Sequence, residues 1–195
     1  MKREVILFLL VFLTACGKND KQLIVVTEAG FAPYEYYEAG EIVGVDIDIA
    51  REIAKKLNKE LVIKDVAFDS IINEVKSGKA DIGAAGISYN AERALEVDFS
   101  INYTTSNQVV IVKKDGNIKK ISDIKDQKIA VQLGTIADSY LTNNFPLVEL
   151  VREKKYLAAI EDLKSSKCEA GYSLGLKYAQ MMQHIVHLIL LRLHL

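Results

Sequence analysis

The chain has 195 residues, of which 50% are hydrophobic, and a formal net charge of −1. This apolar content suffices for one globular domain or two small ones. Because the charges balance and no basic stripe with interleaved aromatic residues occurs, the composition argues against nucleic acid as a partner. The three histidines share one apolar segment, and no group of His, Cys, Asp and Glu has metal-ligand spacing. The sequence therefore predicts neither a metal site nor a cofactor.

Residues 1–15 have the pattern of a signal peptide. A positively charged start precedes an apolar run at residues 5–13 that is too short to span a bilayer with the usual margin. The run Leu13-Thr14-Ala15-Cys16 resembles a bacterial lipobox, in which the Cys becomes the lipidated first residue. A plain secretory signal with a chance Cys is the alternative. We expect lipidation at Cys16, a polar tether over 16–22, and export to the periplasm or cell exterior on an anchor in the bacterial cell membrane.

Residues 23–85 alternate between strand and helix patterns. Strands are predicted at 23–27, 61–63 and 80–85, and helices at 46–58 and 68–75. This rhythm is typical of a doubly wound α/β fold, in which ligands bind at loops on the carboxyl ends of parallel strands. The loops at 28–37 and 86–93 should therefore lie on the same edge of one sheet.

The loop at 28–37 is unusually rich in aromatic residues. Phe31, Tyr34, Tyr36 and Tyr37 are many for a solvated loop, and at least one of them could form an apolar wall for a ligand. The alternative is that they cap the core or continue into a hairpin.

The loop at 86–93 carries groups suited to a small carboxylate. The small residues up to Gly86 allow the backbone to approach a ligand, and Ser88 can form a hydrogen bond. Arg93 presents a planar fork that matches a carboxylate. An ordinary strand-to-helix turn with a solvated Arg is the alternative.

The same rhythm restarts after a long β-branched strand at 107–114, which predicts a second lobe. Predicted elements are a helical turn at 121–124, strands at 128–132, 147–151 and 168–172, and helices at 136–143 and 156–165. Thr135 precedes the first of these helices. It is either a simple N-cap or, with the backbone N–H groups of the helix start, an anion site.

Five segments in order resemble the extracellular solute-binding proteins of family 3, the polar amino acid receptors of ABC importers. The segments are residues 27–35, 44–49, 79–93, 97–100 and 131–135. The resemblance implies a two-lobed, periplasmic-binding-protein-like (type II) α/β fold. It places a first lobe at 23–108, a hinge strand at 109–114 and a partial second lobe at 115–175.

The resemblance also implies which residues bind the ligand. Phe31 would stack on it, and Glu28 would contact its side chain. The Gly86 carbonyl and the Ser88 hydroxyl would hold the ammonium and carboxylate ends. Arg93 would clamp the α-carboxylate, and Thr135 would add a donor from the second lobe.

The C-terminal region departs from the family pattern. A ligand-binding Asp is expected near Leu174, but no carboxylate occurs from Gly171 onward. Residues 176–195 form an apolar tail that fits either an amphipathic helix or, as we expect, the out-of-frame end of a frameshifted gene. The second lobe and the return crossover are then incomplete.

The implied function is capture of a polar or basic amino acid by a monomeric receptor, which delivers it to an ABC permease and its ATPase. One alternative is a periplasmic enzyme on the same fold, of dehydratase or cell-wall lyase type. Such an enzyme needs a placed acid or base, whereas Asp46 and Asp48 are explained by a helix start. Further alternatives are a sensory module and a non-functional truncated product. The sequence predicts a receptor and not an enzyme.

Overall fold

A computed structural model of the chain describes residues 20–105, 108–113, 116–174 and 186–190, with the backbone alone at 172–174 and 186–190. The predicted signal peptide and Cys16 lie outside these residues. Two β-sheets, each with helices on both faces, form two lobes. Within the described residues, no helix is both long and apolar enough to cross a bilayer.

The first lobe contains a parallel sheet of three strands in the order β4-β1-β5. The strands of this lobe are β1 (Gln22–Thr27), β2 (Tyr36–Glu38), β3 (Glu41–Val43), β4 (Glu60–Asp65) and β5 (Ile82–Gly83). The helices are α1 (Val45–Lys56), a 3₁₀ turn (Phe68–Ser70), α2 (Ile71–Lys76) and α3 (Ala91–Ala94). Strands β2 and β3 form a hairpin after the aromatic loop, as one of the two interpretations of that loop expected.

Strand β1 is buried on both faces because a helix covers each side of the sheet. Leu23 and Val25 pack with Ala50 of α1. Val26 points the other way and packs with Ile71 of α2. This alternation follows from the two-residue period of a strand and explains why residues 23–26 of β1 are all apolar.

The second lobe contains a mixed sheet of five strands in the order β10-β6-β9-β7-β8. Its strands are β6 (Gln108–Lys113), β7 (Lys128–Gln132), β8 (Glu149–Glu153), β9 (Ala170–Leu174) and β10 (Val186–Leu190). Its helices are a 3₁₀ turn (Ile121–Ile124), α4 (Ile136–Asn144) and α5 (Tyr156–Lys164). Strand β7 pairs in parallel with β8 and β9, whereas β6 is antiparallel to β9 and β10.

Helices α4 and α5 cover opposite faces of this sheet. Val110 and Val112 of β6 pack in the cluster that includes Leu141 of α4. Val109 and Ile111 pack with Leu163 of α5. The second lobe therefore repeats the two-faced layout of the first.

The predicted elements all occur, and three strands begin two residues later than predicted. The third strand covers only Ile82–Gly83, because the chain turns away at Gly86, whose φ is +53°. The strands predicted at 147–151 and 168–172 each begin two residues later, at Glu149 and Ala170. A turn precedes each of these two strands. In these turns the Val148 N–H donates a hydrogen bond to the Phe145 carbonyl, and the Cys168 N–H donates to the Asp162 carbonyl.

Strands β1 and β5 are parallel neighbours, with Val25 opposite Ile82. The loops that follow them therefore leave the same edge of the sheet, which confirms the prediction for the 28–37 and 86–93 loops. Strand β6 lies inside the second sheet, between β9 and β10. Its role as a hinge and the lobe limits 23–108, 109–114 and 115–175 remain predictions.

Part of the C-terminal tail is a strand. Residues Val186–Leu190 form β10, antiparallel to β6, so the amphipathic-helix interpretation is wrong for these five residues. Residues 176–185 and 191–195 of the tail lie outside the described residues. The out-of-frame origin of the tail remains a prediction.

Candidate ligand-binding site

A cavity of about 510 Å³, including its opening to solvent, lies between the two lobes. The structure brings together all of the residues that the sequence analysis proposed as ligand-binding. The cavity is lined by Glu28, Phe31, Gly86, Ser88, Arg93 and Thr135.

Arg93 is fixed at the start of a short helix. Asn90 caps α3 by accepting a hydrogen bond from the Arg93 backbone N–H at 2.7 Å. The guanidinium donates to the Ser88 carbonyl at 2.7 Å through Nη1, and its carbon lies 5.6 Å from the centre of the Phe68 ring. These contacts hold the planar fork in one orientation, which suits recognition of a carboxylate.

The same guanidinium reaches across the cavity. Nη2 of Arg93 donates to the Gly134 carbonyl of the second lobe at 2.9 Å. Burial lowers the pKa of Arg93, and the nearby Glu92 carboxylate opposes that shift. Because a guanidinium keeps its proton in proteins, Arg93 brings a positive charge to the cavity.

The loop at Gly86 is anchored by the Asp46 side chain. The Gly86 N–H donates to Oδ2 of Asp46 at 2.8 Å, and the Tyr103 hydroxyl donates to Oδ1 at 2.9 Å. The helix-start explanation of Asp46 is therefore incomplete, because this side chain, only 1% exposed, also anchors a cavity loop. The φ angle of Gly86 is +53°, a conformation that favours glycine. A Cβ at this position would also lie 3.3 Å from a ring carbon of Phe31.

Phe31 belongs to an aromatic wall that joins the lobes. Its ring stacks on Tyr34 with centroids 5.5 Å apart and meets the edge of Tyr156 at 5.4 Å. Tyr156 begins α5, so a first-lobe loop packs against the second-lobe core. The backbone of Phe31 is fixed by a hydrogen bond from its N–H to the Glu35 carbonyl at 2.7 Å.

Thr135 is the N-cap of α4. Its hydroxyl accepts from the Asp138 N–H at 3.3 Å and donates to the Gln132 carbonyl at 2.8 Å. The N-cap interpretation is therefore correct. Since the hydroxyl proton is directed to Gln132, donation from Thr135 to a ligand would require this hydroxyl to rotate.

Glu28 is a buried acid with partners from the second lobe. Gln132 donates to its Oε2 at 3.1 Å, and the Lys155 ammonium lies 3.6 Å from its Oε1. Burial raises the pKa of Glu28, and Lys155 opposes that shift. Lys155 also donates to Asp65 at 2.5 Å, so one cation bridges two first-lobe acids.

Further residues line the cavity without having been predicted. They are Glu35, Phe68, Gln108, Gln132 and Tyr156. Burial, together with the neighbouring Asp46 carboxylate, raises the pKa of Glu35 to about 11. Only weak signals for these residues are present in the sequence. Glu35 ends the aromatic loop, Gln132 precedes the predicted anion corner, and Gln108 begins a strand.

The arrangement is suited to binding a small zwitterion. Arg93 supplies a positive fork, Glu28 supplies an acid, and Phe31 and Tyr156 supply apolar walls. In the part of the chain that the structure describes, no group of three or more His, Cys, Asp or Glu could hold a metal ion.

Known proteins resemble this chain in sequence and in structure. The arginine-binding extracellular protein ArtP of Bacillus subtilis (strain 168) is 38% identical over 133 residues, which are 65% of this chain and 52% of the relative. The ABC transporter arginine-binding protein 1 of Escherichia coli (strain K12) is 32% identical over 173 residues, 88% of this chain and 71% of the relative. The chain thus spans about half the length of the first relative.

A solved structure described as an ancestral arginine-binding protein bound to arginine superposes with a TM-score of 0.81 at 33% identity. The superposition covers 87% of this chain and 78% of that protein. Residues 23–178 match the family described as bacterial extracellular solute-binding proteins, family 3. The match covers most of the chain and agrees with the two-lobed α/β fold, so the chain belongs to the extracellular solute-binding proteins of family 3.

Proposed function

We propose that this protein is an amino-acid-binding receptor that captures a basic amino acid such as arginine between its lobes. The observation that carries the proposal is the cavity itself, where a half-buried guanidinium and a buried carboxyl group face one space. The relatives reported above are arginine-binding proteins, which supports a basic ligand.

In the proposed complex, Arg93 receives the ligand carboxylate. The guanidinium has five N–H donors, of which one goes to Ser88 and one to Gly134. The remaining donors allow a paired contact with a carboxylate. Phe31 packs on the aliphatic part of the ligand, and the Gly86 carbonyl and the Ser88 hydroxyl take its polar ends.

Ligand capture depends on closure of the lobes. Arg93, Lys155 and Gln132 each reach a group on the opposite lobe. A ligand that touches both lobes binds the closed form better than the open form and shifts the population towards it. This motion needs no bond to be made or broken.

Isothermal titration calorimetry with arginine tests the proposal. We expect saturable one-to-one binding of arginine, and no binding of agmatine, which keeps the guanidinium but lacks the carboxylate. Equal affinity for arginine and agmatine would contradict the carboxylate role of Arg93. Incubation of the protein with arginine followed by mass spectrometry should recover unchanged ligand, and a new product would favour the enzyme alternative.

We also propose that the receptor is exported, anchored at Cys16, and that it delivers its ligand to an ABC permease and its ATPase. The lipobox-like run in the sequence supports the anchor. Metabolic labelling with an alkyne fatty acid should mark the protein, and Cys16→Ser should remove the label. Equal labelling of the two forms would contradict lipidation at Cys16.

A further inference from the structure

Two buried oxygens beside the cavity have no hydrogen-bond partner among the described residues. They are Oε1 of Gln108 and Oε2 of Glu35. Both side chains line the cavity, and they are only 7% and 1% exposed. Since buried polar atoms are nearly always hydrogen-bonded, two such oxygens at one cavity need a donor from outside the described residues.

The two side chains come from different lobes. Glu35 ends the aromatic loop, where its backbone carbonyl accepts from Phe31. Gln108 is the first residue of β6, and it lies opposite Leu174 of β9. Because no Asp or Glu occurs from Gly171 to the C-terminus, β9 brings no acid to this point of the sheet.

Both oxygens can only accept hydrogen bonds. Burial and the Asp46 carboxylate raise the pKa of Glu35, so its carboxyl group is protonated at neutral pH. The acid proton is directed to Asp46, which leaves the second Glu35 oxygen as an acceptor. Oε1 of Gln108 is an amide carbonyl oxygen. Since both oxygens are acceptors, a group that carries N–H donors is favoured beside them.

We propose that Gln108 and Glu35 form an acceptor corner, a pair of side chains that receives the N–H donors of a cationic nitrogen group on the ligand. The inference rests on the proposed function, in which Arg93 holds the carboxylate at the other end. The cationic group is either the α-ammonium or the charged side chain of a basic amino acid. Both share the same chemistry, a positive nitrogen with several N–H donors.

Calorimetry on Gln108→Met tests the acceptor corner, because Met keeps the length of the side chain and removes the amide. The matched control is Gln22→Met, the same change at the first residue of β1 and outside the cavity. We expect Gln108→Met to bind arginine about tenfold more weakly than the control does.

Two further ligands identify which nitrogen is bound. Norleucine keeps the α-ammonium and has no side-chain donor, whereas Nα-acetylarginine keeps the guanidinium and has no α-ammonium. If the corner takes the side chain, Gln108→Met weakens Nα-acetylarginine and leaves norleucine unchanged. If it takes the α-ammonium, the pattern is reversed. Either pattern supports the acceptor corner.

The inference is overturned if Gln108→Met and Gln22→Met bind arginine equally well. That result leaves the proposed function intact, because arginine is still bound. If the unaltered protein binds no amino acid, the proposed function fails and the acceptor corner fails with it. Thermal melting shows whether Gln108→Met folds. If it does not, Gln108→Asn, which withdraws the amide by one methylene, should show the same selective loss, and unchanged affinity overturns the inference.

Discussion

The two lobes share a two-faced α/β layout, yet their polar groups reach the cavity in different ways. First-lobe groups have partners within their own lobe, Arg93 in Asn90 and Ser88, and Gly86 in Asp46, although Arg93 also donates to Gly134 of the second lobe. Second-lobe groups reach across instead, Lys155 to Asp65 and Gln132 to Glu28. Arg93 and Gly86 therefore have contacts that do not need the second lobe, whereas these contacts of Lys155 and Gln132 exist only when the lobes lie together.

The largest expected effect is on the first-lobe side of the cavity. Arg93→Ala should weaken arginine binding by about 100-fold or more, because a charged, paired contact with the carboxylate is lost. Arg93→Lys should recover only part of the affinity, since an ammonium cannot form the two-pronged contact. Calorimetry measures both variants. Wild-type affinity in Arg93→Ala would remove this residue from the site.

The next effect tests how closely the lobes approach. Gly134 has a φ of +76°, and a Cβ there would lie 3.1 Å from the Asp69 Cβ of the first lobe. Gly134→Ala should therefore cost about 1–2 kcal/mol of stability from backbone strain and also weaken ligand binding by about tenfold.

Gly78→Ala is a matched control for this change. Gly78 has a similar φ of +73° and nothing within 4 Å of the added Cβ. The Gly78→Ala variant should lose the same amount of stability as Gly134→Ala and keep its affinity for the ligand. If the two variants lose affinity equally, the contact between Gly134 and Asp69 has no role in closure.

A smaller effect is expected for the ion pairs that cross the cleft. Lys155→Met keeps the aliphatic stem but removes the charge that contacts Asp65 and Glu28. Because the Lys155 side chain is 41% exposed, we expect a loss of only about 1 kcal/mol in closure, seen as roughly fivefold weaker binding. Lys164→Met, which removes an ion pair to Glu161 within α5, is the control and should bind normally.

The smallest effect on affinity is expected for Glu35→Gln, because glutamine has the shape of a protonated glutamic acid. Burial and Asp46 raise the pKa of Glu35 to about 11 in the folded protein, above its ordinary value of 4.5. The folded state therefore keeps a proton that the unfolded state releases, and stability falls as pH rises from about 4.5.

Denaturant unfolding between pH 5 and 9 measures this dependence. The Glu35 contribution should lower stability by up to about 1 kcal/mol per pH unit, and Glu35→Gln should remove it. Parallel stability curves for the two proteins would mean that Glu35 ionises normally.

Much of the fold could be predicted from local patterns. The apolar run of β1 and the predicted strand at Lys128–Gln132 match the structure closely, because a strand buried on both faces is continuously apolar. Errors lie at strand starts. The turns before Glu149 and Ala170 are stabilised by hydrogen bonds to preceding residues that apolar periodicity does not report.

The candidate site was predicted only in part. Ser88 and Arg93 follow Gly86, and Thr135 follows Gly134, at predicted loop–helix junctions, which is a local signal. Gln108 and Glu35 carry no such signal. A polar residue in a strand or loop becomes a cavity residue only when elements distant in sequence enclose it, and no spacing rule reports that enclosure.

The sequence by itself determined the α/β rhythm, the loops on one sheet edge and the Arg93 candidate, because these depend on residue type and on spacing of a few positions. Only the tertiary structure decided how those parts meet. It brought Lys155 into contact with Asp65, ninety positions away, and it buried Glu28 where Gln132 of the other lobe donates a hydrogen bond to it. Charge pairing and burial depend on packing between lobes, so the electrostatic character of the cavity follows from the folded chain.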